Sequence, residues 1–159
     1  MKQKIILLII SIVCTFNFSL AQDPEIIWEH TYGGNDDDFV NKVLQTEDGG
    51  FLLGGYTYSI DGDILINQGL KDILLIKTDS IGNLEWSKTY GGSQSENVGD
   101  IVEGVDGGYV LAGSTNSEDG DVSSLHGNFD VWIIKIDTLG NIEWEKLMVV
   151  LLQKVLHQY

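Results

Sequence analysis

Residues 28–85, opening WEHTYGGNDDDF, and residues 86–143, opening WSKTYGGSQSEN, overlay without a gap, and residues 144–146 begin a third copy. Trp28, Trp86 and Trp144 stand 58 residues apart, and 24 of the 58 aligned positions are identical. A period of this length restricts the chain to architectures in which one supersecondary unit per copy stacks on its neighbours.

Each copy reads as four short strands. Val40–Thr46 and Phe51–Tyr58 flank Glu47-Asp48-Gly49-Gly50, where Asp-Gly-Gly predicts the positive φ angles of a tight hairpin. Ile73–Thr78 is apolar without alternation through Ile76, the pattern of a strand covered on both faces. Asp79-Ser80-Ile81-Gly82-Asn83 then turns the chain into a fourth strand, where a period of two places Leu84, Trp86 and Tyr90 on one face. Gly55 and Gly113 interrupt the second strand of each copy, which predicts close backbone approach there. Neither copy carries a helical period. The expected fold is all-β, with four-stranded antiparallel blades of the β-propeller type and two complete 58-residue repeats forming an incomplete propeller. A flat antiparallel sheet or a β-solenoid is the alternative, although solenoid rungs have a shorter period.

The shared signature runs from TYGG through DGG(F/Y) and DGD to GN(I/L) and tryptophan. It resembles the propeller-like repeats of long secreted bacterial proteins, a family similar in style to the seven-bladed propeller repeats. The resemblance spans about residues 26–146. It implies export and a bladed architecture, and in many members a C-terminal sorting domain for type IX secretion. It implies no particular activity. This chain departs from the pattern in having two full copies with no sorting domain after them.

The chain of 159 residues opens MKQKIILLIISIVCTFNFSLAQ. Lys2 and Lys4, the apolar run and Ser19-Leu20-Ala21 predict a secretory signal peptide over residues 1–21, followed by a lead-in over 22–27. The apolar run is too short to span a bilayer, and Cys14 lacks the small preceding residue of a lipoprotein signal. Cleavage removes the only cysteine, so stability must come from core burial, ions or partners. It also removes Lys2 and Lys4, deepening the net charge from −15 to −17, and no arginine is present. Such a surface repels a phosphate backbone, which excludes nucleic acid as the partner. The expected location is the medium or the cell surface of a bacterium.

After Lys146 the repeat calls for Thr-Tyr-Gly-Gly, but Leu147-Met148-Val149-Val150 stands there. Codons can be written for LMVVLLQKVLHQY that read TYGGTASESVASI once a single A precedes them. That string matches the second copy's TYGGSQSENVGDI at TYGG and at four later positions. Residues 147–159 are therefore expected to be an out-of-frame tail, with further blades of a parent chain missing. A genuine amphipathic or buried tail is the alternative.

No catalytic constellation emerges. His30, His126 and His157 are the only histidines, and G-x-S-x-G is absent. The recurrent tryptophans read as blade packing before a sugar-stacking surface. The sharpest candidates are two acidic loops. Ser59-x-Asp61-Gly62-Asp63 recurs as Ser117-x-Asp119-Gly120-Asp121, and Asp72 and Asp130 follow each second aspartate by nine residues. Asp61, Asp63 and Asp72, with Asp119, Asp121 and Asp130, have the hard oxygen chemistry that suits calcium. The spacing is not that of an EF-hand, and Asp-Gly is equally the chemistry of a turn. Asp36, Asp37 and Asp38 are weaker candidates because their counterparts are Gln94, Ser95 and Glu96. These features point to an exported, non-catalytic scaffold or binding protein with a protein or glycan ligand. The alternative is an accessory or propeller part of a secreted hydrolase or lyase.

Overall fold

The computed structural model describes residues 25–148, so the signal peptide expected at 1–21 and tail residues 149–159 lie outside the described residues. Eight strands follow one another: β1 (Asp38–Gln45), β2 (Phe51–Thr57), β3 (Asp72–Thr78), β4 (Leu84–Tyr90), β5 (Glu96–Glu103), β6 (Tyr109–Thr115), β7 (Asp130–Ile136) and β8 (Ile142–Met148). They form two antiparallel four-stranded meanders, β1-β2-β3-β4 and β5-β6-β7-β8. The described residues contain no helix, and so none long and apolar enough to cross a membrane.

Local chemistry explains the element boundaries. In the β1–β2 hairpin, Asp48 Oδ1 accepts hydrogen bonds from the Thr46 hydroxyl and the Gly50 amide, and Gly49 takes φ +85°. Only one of the two glycines has positive φ, contrary to the sequence expectation. Gly50 is required by space instead: a Cβ there would stand 2.2 Å from the Thr78 carbonyl oxygen. Lys77, 2 % exposed, reaches over this turn with Nζ 2.9 Å from both Asp48 and Glu85. Burial works against its ammonium, but the two carboxylates outweigh that and raise its pKa. Asp48, bonded by Thr46 and Lys77, is held down at about 2. Lys135 repeats the arrangement, 3.0 Å from Asp106 and 3.2 Å from Glu143.

The glycine in each second strand has the expected role. A Cβ on Gly55 would lie 1.6 Å from the Phe39 carbonyl oxygen, and one on Gly113 would lie 2.2 Å from that of Asn97. Both glycines sit beside a register shift, between Val40 and Lys42 and between Val98 and Asp100. A second shift corrects the reading of β4. Trp86 pairs with Lys77 but Leu84 pairs with Thr78, neighbours on β3 that point to opposite faces. Leu84 therefore leaves the face shared by Trp86 and Tyr90 and is 40 % exposed.

Every residue of β3 is buried, as its unbroken apolar run predicts. Ile73 and Leu75, with Leu52 and Tyr90, pack against Leu111, Trp132 and Ile134 of the second sheet. Leu74 and Ile76 cover the other face of the first sheet, where Ile64, Leu53 and Tyr32 join them. The corresponding strand β7 is less covered on the face that Val131 and Ile133 share, where Val131 is 37 % exposed and Ile133 half-buried.

The extended residues before β1 imitate β4. Tyr90 Oη donates to the Gly140 carbonyl at 2.7 Å, and Trp86 lies against Gly140. Tyr32 Oη likewise donates to the Gly82 carbonyl, and Trp28 lies against Gly82. Trp28 and Tyr32 thus meet the first sheet as Trp86 and Tyr90 of β4 meet the second.

Candidate functional site

The DGD loops clamp the TYGG segments. Asp63 Oδ2 accepts from the Gly33 amide at 3.1 Å, and the Asp63 amide donates to the Gly33 carbonyl at 3.0 Å. Asp61 Oδ1 accepts from the Asn35 amide at 2.8 Å. In the second copy, Asp121 Oδ2 accepts from Gly91 at 3.1 Å and Asp119 Oδ1 accepts from Ser93 at 2.7 Å. Asp72 and Asp130 serve their own loops, accepting from the Gln68 amide at 2.7 Å and the His126 amide at 2.6 Å. These hydrogen bonds give all six aspartates a turn-forming role. Among the described residues, no three Asp, Glu, His or Cys side chains gather as a metal ion would require.

One of the six has a partner set that the sequence spacing did not suggest. Asp72 is fully buried, and its Oδ1 has no hydrogen-bond partner. Its charged neighbours are Glu96 and Asp121 of the second copy, and a Cβ on Gly91 would stand 2.5 Å from both Asp72 Oδ1 and Glu96 Oε2. Burial, reinforced by those two carboxylates, raises the Asp72 pKa to about 6. Glu96 is also fully buried, and it accepts from Thr115 and Ser117 at 2.7 Å and from the Gly92 amide at 3.1 Å. This carboxyl pair lies inside the junction between the sheets. Gln68 Nε2 closes the junction by donating to Asp121 Oδ2 at 2.7 Å, and the Leu70 and Lys71 amides donate to the Gln94 carbonyl.

A cleft of about 370 Å³ opens beside that junction, lined by Ile64, Leu65, Ile66, Gln68, Thr89 and Asp121 among others. Its shape follows from two hydroxyl groups on β4. Ser87 donates to the Asp63 carbonyl, and Thr89 donates to the Ile66 carbonyl at 2.5 Å. Ile64 is thereby drawn into the core at 1 % exposure, while Leu65 and Ile66 are held outward at 83 % and 63 %. A loop that presents two large aliphatic side chains next to an apolar cleft has the form of a binding surface.

Sequence reasoning missed this cleft because Leu65 and Ile66 do not recur. Their counterparts are Ser123 and Ser124, and exposed Ile60 and Leu70 correspond to Glu118 and Asn128. The available signal was the difference between copies. No protein-family model matches the chain, and no curated protein matches it.

Proposed function

We propose that this chain is part of an exported, non-catalytic scaffold of the β-propeller type, each sheet being one blade and residues 26–32 standing in for the fourth strand of a preceding blade. It holds a partner, protein or glycan, at the bacterial cell surface or in the medium. The observation that carries this reading is the division of labour between recurrent and unique residues. The recurrent carboxylates are spent on turns and on the junction, whereas the unique Leu65 and Ile66 stand exposed beside the cleft. Asp72 has the raised pKa of a catalytic acid, but it and Glu96 are both fully buried, which favours a structural role for the pair.

Leu65→Ser with Ile66→Ser installs the second copy's own residues, so the fold is expected to tolerate both. Apolar peptides selected on the full chain from a displayed library should bind the double variant at least tenfold more weakly. Undiminished binding would remove the cleft from the function. Cleavage of a bound peptide or polysaccharide by the unaltered chain would replace the scaffold by a secreted hydrolase or lyase.

A further inference from the structure

The first copy carries a second cluster that the repeat does not require. Phe39 on β1 pairs in register with Tyr56 on β2, and their rings stack at 4.8 Å between centroids with 30° between planes. Tyr58 meets Tyr56 edge-on at 6.1 Å, and the Lys71 ammonium stands 4.4 Å from the Tyr56 centroid. Phe39 and Tyr58 remain 45 % and 44 % exposed. The rings and the side chains of Asp36 and Asp37 border an open concavity of about 500 Å³. The backbone beneath the two acids is pinned: the Ser59 hydroxyl accepts from the Asp36 amide at 3.0 Å, and the Tyr58 amide donates to the Asp37 carbonyl at 3.1 Å. Neither carboxylate receives a hydrogen bond or an ion pair from the other described residues.

The second copy has Gln94, Ser95, Asn97, Ser114, Asn116 and Phe129 at these six positions, on strands of the same pairing and the same bulge. The fold can therefore be built without the rings, the acids or the lysine. Three partly exposed aromatic rings beside two unpartnered carboxylates stand where burial supplies no reason for them.

We propose that this shelf binds a neutral glycan, a pyranose stacking its C–H face on Phe39 and Tyr58 while Asp36 and Asp37 accept hydrogen bonds from its hydroxyls. Charge complementarity selects that class. The paired aspartates repel an anionic ligand, and Lys71 already occupies a face of Tyr56 on which a cationic one would stack. A polyol offers its hydroxyl donors to the carboxylates, and flat rings hold it at small entropic cost. The site is separate from the aliphatic cleft, so its success or failure leaves that reading untouched.

The full chain should be titrated calorimetrically with cellohexaose, laminarihexaose, mannohexaose and hexa-N-acetylchitohexaose, and in parallel with oligogalacturonate and hexalysine. At least one neutral hexamer is expected to bind, and Phe39→Asn with Tyr56→Ser and Tyr58→Asn, the second copy's residues, should weaken it at least tenfold. Asp36→Asn with Asp37→Asn should weaken it several-fold without altering circular dichroism. Absence of binding by all four neutral hexamers, binding confined to the charged probes, or undiminished affinity in the triple variant would each overturn the proposal.

Discussion

Asp72 is a carboxyl whose protonation folding controls. Its pKa rises from an ordinary 3.8 to about 6 because folding buries it beside Glu96 and Asp121. A carboxyl whose folded pKa lies above its unfolded value favours the folded state fully below about pH 4 and loses that contribution as pH rises through about 6. Asp72→Asn keeps an oxygen for the Gln68 amide and turns a donor toward Glu96. The variant is expected to match the unaltered chain near pH 4 and to exceed it at pH 8 by on the order of 1–2 kcal/mol, allowing for solvent screening. Urea unfolding across that range checks this, and parallel curves at every pH would contradict the assignment. The role of Asp72 was hidden in the sequence because its neighbours come from the other copy. Spacing within one copy groups Asp61, Asp63 and Asp72, but folding groups Asp72 with Glu96 and Asp121. Phe39, Tyr56, Tyr58, Leu65 and Ile66 do not stand out in the sequence for a related reason. Identities between copies report what every sheet needs, and the residues proposed to bind lie among the differences.

At the scale of elements, the strands were legible because turn chemistry is local. Asp79 accepts hydrogen bonds from the Ile81 and Asn83 amides, and Asp137 does the same for Leu139 and Asn141. Bulges were not legible, since a one-residue slip depends on the facing strand, and this is why a period of two alone puts Leu84 on the wrong face. Gly49 and Gly82 separate local strain from long-range packing. Both have positive φ, +85° and +83°, but a Cβ on Gly49 meets nothing within 4 Å whereas one on Gly82 stands 2.6 Å from His30 and 2.7 Å from Trp28. Gly49→Ala is expected to cost about 1–2 kcal/mol through backbone strain alone. Gly82→Ala should cost more and shift tryptophan emission to the red, because Trp28 must move away. Equal destabilisation without a spectral change would mean that Trp28 does not rest on this turn in solution.

For the molecule as a whole, the two sheets differ in what covers them. Ile73 and Tyr90 are 0 % and 3 % exposed beneath the second sheet, but their counterparts Val131 and Met148 are 37 % and 56 % exposed. Trp144, the counterpart of half-buried Trp86, is 43 % exposed. An apolar sheet face of this kind drives association. Sedimentation of the full chain should therefore show reversible, concentration-dependent self-association that Val131→Lys weakens. A single monomeric boundary at all concentrations would show that this face needs no cover. The likeness between Trp28 and Tyr32 on the first sheet and Trp86 and Tyr90 on the second has a consequence for ancestry. The unit 86–143 begins within β4, the last strand of the first sheet, and ends two residues into β8, the last strand of the second, so it straddles the junction; the unit 28–85 likewise ends two residues into β4. Because the copies align without gaps, an unequal crossover between any two equivalent codons inserts or removes one whole sheet, and the new neighbours already possess the clamp, the tyrosine anchor and the tryptophan seat that join them.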